Sequence, residues 1–149
     1  MVMIFALGHI SGAHFNPAVT LAVFLRGGKI DHVTAVAYVG AQLAGAFIAA
    51  FQQNLIGSEA GFESGYPSVD EHVSTLSALA LECQYTFALC LVVLNVCTTK
   101  KQDNNSFFGL AIGMTVSAGA WAAAGTNHRA FPLFLTLSSP LHRNNTINL

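Results

Sequence analysis

Residues 8–20 read Gly8-His9-Ile10-Ser11-Gly12-Ala13-His14-Phe15-Asn16-Pro17-Ala18-Val19-Thr20. A glycine-rich polar run ends in Asn-Pro-Ala, and an apolar helical pattern follows at once through Val19, Leu21, Ala22, Val23, Phe24 and Leu25. Asparagine is a preferred helix N-cap. Proline suits the first helical position because its missing N–H would be unsatisfied there anyway. A helix is therefore predicted to start at Asn16-Pro17 and to stop at Arg26-Gly27-Gly28. At ~1.5 Å per residue, roughly ten residues reach about half-way through a bilayer core of ~30 Å. A short apolar helix approached through irregular backbone is how a membrane protein sets a helix N-terminus near the midplane.

The composition agrees with a membrane setting. Charged residues make up 9% of the 149 residues and hydrophobic ones 53%. Ordinary globular chains carry ~25% charge, and mean hydropathy here is +0.54. The net charge of −1 argues against a nucleic-acid partner. Met1 to Leu7 is apolar but short, with no basic flank or cleavage site of a signal peptide; it reads as the end of a span whose start is absent. Cys83, Cys90 and Cys97 recur every seven residues on one helical stripe. They are too far apart to pair, and they read as small buried apolar side chains. Neither a metal site nor a cofactor is expected.

Three long apolar runs follow the half-helix. Residues 33–56 hold no charge, 73–97 hold only Glu82, and 107–126 hold none. Each approaches the ~20 residues a spanning helix needs. Small residues four apart (Gly40 and Ala44, Ala41 and Gly45, Gly109 and Gly113) suggest close helix packing in lipid. Arg26 and Lys29 precede the first run, and Lys100 and Lys101 follow the second. The loop 57–71 between these runs carries Glu59, Glu63, Asp70 and Glu71 and no Lys or Arg. By the positive-inside rule the basic loops face the cytoplasm and the acidic loop faces outside. The half-helix then belongs to a re-entrant element on the cytoplasmic side. Asn104-Asn105-Ser106 and Asn144-Asn145-Thr146 match the glycosylation acceptor pattern; the first falls in a loop expected to be cytoplasmic and unmodified.

The run Gly8 to Thr20 resembles the first Asn-Pro-Ala signature of the aquaporin (major intrinsic protein) family, and the resemblance continues to about Gly125. It implies an all-α membrane protein, a partial aquaporin-like bundle with one re-entrant half-helix. Residues 1–126 would form this domain. Residues 1–8 would end one span, 9–26 would form the re-entrant loop and half-helix, and spans would follow at about 33–56, 73–97 and 107–126. It also implies passive movement of water and small neutral solutes. Such a pore must replace the hydrogen bonds that water gives up. Gly8 to Phe15 suit the acceptor side, because carbonyls that no helix pairs are tolerable at membrane depth only along a wet cavity. Gly12, Ala13 and Pro17-Ala18 belong to that wall. The Asn16 side-chain oxygen can cap the helix while its NH₂ group points into the pore. The positive end of the helix dipole lies at the same depth and disfavours cations. By the resemblance His14 lines the cytoplasmic vestibule; the alternative is a loop histidine bonded to its neighbours. His9 reads as structural. Glu82, in Leu81-Glu82-Cys83-Gln84-Tyr85-Thr86-Phe87, matches a family glutamate that would hold a re-entrant loop by accepting its N–H groups. Gly109 to Ala120 resembles the family's fifth helix, with Ala120 at the narrow filter. Strictly water-selective members carry histidine there, and alanine would widen the passage.

The family pattern has a second Asn-Pro-Ala, expected soon after Gly125. Here the chain reads Thr126-Asn127-His128-Arg129-Ala130-Phe131-Pro132 instead. The reading is of a chain truncated at both ends, with residues 127–149 a divergent, disordered tail. A channel-family piece, incomplete and inactive alone, is expected. A non-conducting subunit that joins full-length aquaporins and modulates them is the alternative. An enzyme is disfavoured, since the spans offer no nucleophile–base pair and no metal-ligand cluster. The expected partners are the lipid bilayer, water or a small neutral solute, and other subunits, as tetramers by the family's habit.

Overall fold

A computed structural model describes residues 1–60 and 74–124. The described residues are all helical, without a strand among them: α1 Val2–Ser11, α2 Pro17–Arg26, α3 His32–Ala60, α4 Thr75–Thr98, a 3₁₀ turn Lys100–Gln102, and α5 Phe108–Ala124. α2 lies between α3 and α4, α5 packs on α4, and α1 packs on α5. The cysteine-bearing helix α4 is thus the centre of the bundle, and the short α2 is its inner layer.

Local chemistry sets each boundary. Gly12, at φ 72°, ends α1, and its N–H returns to the Gly8 carbonyl. Gly27 and Gly28 both take positive φ and turn the chain from α2 toward α3. Asp31 caps α3 through the Val33 N–H (3.1 Å) and the Thr34 hydroxyl. Ser74 caps α4 by accepting from the Ser77 N–H at 3.1 Å. At the other end of α4, Asn105 donates to the Val96 carbonyl at 2.8 Å. The hydroxyls of Thr115 and Ser117 in α5 bond back to Ala111 and Gly113 carbonyls. A helix in lipid thereby satisfies its polar side chains internally.

The core is small and centred on α2: Val19, Val23, Leu89, Val93 and Ile112 pack together. Within a bilayer this contact is held by dispersion and close packing, because lipid tails are as apolar as the side chains. Two helices are long and apolar enough to cross a membrane, His32–Ile56 and Thr75–Thr98. α5 is mostly apolar over its 17 residues.

Several expectations change. α1 runs to Ser11, so the irregular segment is only Gly12 to Asn16, and the carbonyls of Gly8 and its helical neighbours belong to helix rather than to an extended path. Ile10 and Ser11 continue the apolar helix because nothing before Gly12 stops it. α3 runs to Ala60, so Glu59 lies on its last turn instead of in a loop. Of the small-residue pairs, Gly109 and Gly113 do meet another helix: a Cβ there would lie 2.8 Å from the Phe5 ring and 2.6 Å from Met1 Cβ, respectively. Gly40 and Gly45 have nothing within 4 Å of such a Cβ. Cys83 and Cys97 are exposed and Cys90 is half-buried, since α4 turns Leu89 and Val93, not the cysteine stripe, toward the core. Glu63, Asp70, Glu71, the Asn144 acceptor and the tail 127–149 lie outside the described residues.

Candidate functional site

The segment between α1 and α2 is built from unusual backbone. Gly12, Ala13 and Phe15 all take positive φ, at 72°, 48° and 47°. For the two non-glycine residues such backbone costs on the order of 1–3 kcal/mol each, and persists only where the surroundings fix it. Those surroundings are visible. Ala13 is 7% exposed, and its N–H donates to Ser11 Oγ at 3.3 Å. The Tyr38 hydroxyl donates to the Ser11 carbonyl at 3.0 Å. The His14 ring stands edge-on to Tyr38, with centroids 5.3 Å apart. α3 therefore clamps the loop through Tyr38.

Asn16 starts α2 from extended backbone, at φ −152° and ψ 124°. Its Oδ1 accepts from the Ala18 N–H at 2.8 Å and the Val19 N–H at 3.4 Å. The Asn16 carbonyl accepts from the Thr20 N–H at 2.9 Å, and Pro17 has no N–H. Of the orphan donors that a helix start normally leaves, those of Ala18 and Val19 are thereby paired and Pro17 carries none. What remains at this end is the dipole, the Asn16 N–H and the Asn16 Nδ2 group, neither of the two having an acceptor among the described residues. The carbonyls of Gly12, Ala13, His14 and Phe15 likewise accept no hydrogen bond from described residues. The site thus sets four carbonyl acceptors beside the Asn16 amide and the N–H groups of His14, Phe15 and Asn16, which likewise have no acceptor among the described residues.

Thr20, 1% exposed, ties three elements together. Its Oγ1 lies 3.2 Å from the Asn16 carbonyl oxygen, 3.2 Å from His14 Nδ1 and 3.0 Å from Gln42 Nε2. The Gln42 Oε1 is buried without a hydrogen-bond partner. A cavity of about 420 Å³ opens beside this network. Gly12 to Pro17 form one wall, Gln42, Gly45, Ala46 and Ala49 of α3 a second, and Leu89, Val93, Ile112 and Val116 a third. Polar groups cluster on the loop wall and the other walls are nearly all apolar.

Of the residues singled out by sequence, Gly12, Ala13, His14, Asn16 and Pro17 come together on this cavity, whereas Ala18 and Ala120 do not line it. Ala120 is half-buried on α5, one turn beyond Val116, and Glu82 is half-buried on α4. His9 lies exposed on α1. Thr20, Gln42 and Tyr38 were not singled out. Gln42 had a legible signal as an amide in the middle of an uncharged span, where polar side chains face the bundle interior.

Comparison with known proteins agrees with this architecture. Residues 1–128 match the family described as Major intrinsic protein, a helical membrane channel fold. The chain is 40% identical over 116 residues to "Aquaporin NIP1-1" of Zea mays, covering 78% of this chain and 40% of that protein. It is 36% identical over 118 residues to "Glycerol uptake facilitator protein-like 6" of Lactiplantibacillus plantarum, covering 78% of this chain and 54% of that protein. It is 37% identical over 115 residues to "Aquaporin-1" of Sus scrofa, covering 76% and 42%. The chain therefore spans about half or less of the length of these relatives. On a family match over residues 1–128, the chain belongs to the major intrinsic protein family of integral membrane proteins.

Proposed function

We propose that this chain supplies one wall of a membrane pore for passive movement of water and small neutral solutes. A single observation carries the reading. Asn16 spends its oxygen on the α2 cap and keeps its NH₂ group free beside the unpaired carbonyls of Gly12 to Phe15, on a cavity of about 420 Å³. Carbonyl acceptors beside the Asn16 amide and the positive end of a helix dipole orient water oxygen-first toward Asn16, and they disfavour cations. The names of the relatives, aquaporins and a glycerol uptake facilitator, support the same solute class.

In this reading the chain crosses the bilayer several times. Arg26, Lys29, Lys100 and Lys101 lie on the cytoplasmic side, and 57–71 lies outside. Ala120 widens the filter, and Glu82 holds a re-entrant loop. Only one Asn-Pro-Ala occurs in the 149 residues, and the polar groups of the cavity are confined to the loop wall and Gln42. The chain reconstituted alone is therefore expected to give no water flux above empty vesicles. Assembly with complete aquaporins, as hetero-oligomers on the tetrameric pattern, would let it modulate them.

The test is a graft. Residues 1–124 replace the matching segment of porcine aquaporin-1, and the purified chimera is reconstituted for stopped-flow shrinkage. Water permeability well above empty vesicles is expected, and Asn16→Asp should change it while admitting cations. That substitution retains a capping oxygen and removes the donor. A chimera that folds and inserts but stays at the empty-vesicle rate sinks the proposal.

A further inference from the structure

We propose that Thr20 locks His14 as its Nδ1–H tautomer, so that the Nε2 lone pair is the face His14 offers to the cavity. The inference rests on the pore reading above and names the atom that would meet the permeant.

Hydrogen-bond accounting at Thr20 Oγ1 carries it. A threonine hydroxyl has one hydrogen and two lone pairs. Three polar atoms surround it: the Asn16 carbonyl oxygen at 3.2 Å, Gln42 Nε2 at 3.0 Å and His14 Nδ1 at 3.2 Å. The carbonyl can only accept and the amide nitrogen can only donate. All three contacts are hydrogen bonds only if the hydroxyl donates to Asn16 and Nδ1–H of His14 donates to Thr20. If the hydroxyl instead pointed at an unprotonated Nδ1, the contact to Asn16 would be lost. Thr20 is 1% exposed, so no bulk water replaces a bond forgone there. Turning the Gln42 amide over leaves the outcome the same. The hydroxyl hydrogen could then serve only one of the two oxygens, and the larger number of bonds still forms when His14 donates through Nδ1.

The rest of the ring is held as well. Tyr38 meets it edge-on at 5.3 Å with an interplanar angle of 72°. On the far side, a Cβ built on Gly12 would lie 3.2 Å from His14 Nε2. Glycine at that position leaves Nε2 uncovered. Nε2 then joins the carbonyls of Gly12 to Phe15 as a further acceptor of the loop wall. A permeant O–H donates to Nε2; a permeant acceptor finds no N–H there. Thr20 is thus a positioning residue that acts through His14.

The test is ¹⁵N-histidine solid-state NMR of the full chain in phosphatidylcholine bilayers at pH 8, with the His14 signals assigned by their loss in His14→Asn. The expected spectrum has a protonated-type Nδ1 and an unprotonated-type Nε2. Thr20→Val should move His14 toward the Nε2–H form, and Thr20→Ser should restore the native pattern. A wild-type spectrum with protonated Nε2 overturns the proposal, whatever the variants do. So does a Thr20→Val protein with native helix content and an unchanged His14 pattern. The spectrum does not depend on flux. A locked Nδ1–H tautomer beside an impermeable chimera would sink the pore reading alone, and a conducting chimera with Nε2–H would sink the lock alone.

Discussion

The Tyr38 hydroxyl on α3 donates to the Ser11 carbonyl at the end of α1, 3.0 Å away. Twenty-seven residues apart in sequence, these two groups close the left-handed loop that follows Ser11 and fix it against the helix that carries Gln42. Tyr38→Phe keeps the ring that stands edge-on to His14 and removes only this bond. The expected loss is about 1–2 kcal/mol for a carbonyl left short of a donor. It should be read as faster amide exchange confined to Gly12 to Phe15. Unchanged protection in that segment would show that the loop is held without Tyr38.

Asn16 should separate into two functions under substitution. Asn16→Ala removes the acceptor for the Ala18 and Val19 N–H groups and should cost about 1 kcal/mol of helix stability. Asn16→Asp preserves the cap and should leave those amides protected. Hydrogen exchange at Ala18 and Val19 distinguishes the two. Equal protection in both variants would mean that the cap does not hold this helix start.

The α1–α5 contact is set by two glycines. Gly113 faces Met1, with a would-be Cβ 2.6 Å from Met1 Cβ and 3.0 Å from its Cα. Gly109 faces the Phe5 ring at 2.8 Å. Phe5 in turn packs edge-on against Phe108, with centroids 5.1 Å apart. Gly109→Ala should therefore destabilise by roughly 1–3 kcal/mol through overpacking, and Phe5→Leu on that background should recover part of the loss. Gly40→Ala, with nothing within 4 Å, should instead gain about 0.5–1 kcal/mol, because glycine weakens a helix interior. Thermal unfolding of the three variants in one detergent checks the order, and a Gly109→Ala protein at least as stable as Gly40→Ala would contradict it.

The half-helix was legible because its signals are local. Asn16 caps, Pro17 opens and Gly27 closes, each through its own backbone chemistry, and the helix spans Pro17–Arg26. The membrane class was legible because hydropathy needs no partner. The loop is shorter than its sequence suggests because Ile10 and Ser11 continue a helix whose end depends on one glycine, Gly12 at φ 72°. Which small residues meet a neighbour was not legible. Gly40 and Gly109 look alike in sequence, and only the packing of α1 on α5 tells them apart. The Thr20–Gln42 bond joins residues 22 positions apart, so no periodicity could announce it.

Asp31 gives the α3 start a pH dependence of known sign. Its carboxyl is held below the usual carboxylate value, first by the Thr34 hydroxyl and also by backbone N–H groups including that of Val33. Those donors bond the charged form, so folding favours ionisation. Desolvation opposes them, second in size to the Thr34 bond, and the net shift is downward. A carboxyl whose folded value is depressed stabilises the protein above its unfolded value near ~4, and loses that contribution as pH falls through the folded value. Acidification should therefore fray the first turn of α3, which spans His32–Ala60, with no effect of Asp31 on stability between neutral pH and about 5. Carboxyl ¹³C titration of Asp31 should show a midpoint below that of an unstructured aspartate. Asp31→Asn should keep a cap yet lose the acid sensitivity of the Val33 amide. An Asp31 midpoint above the unstructured value would reverse the sign and refute the capping account.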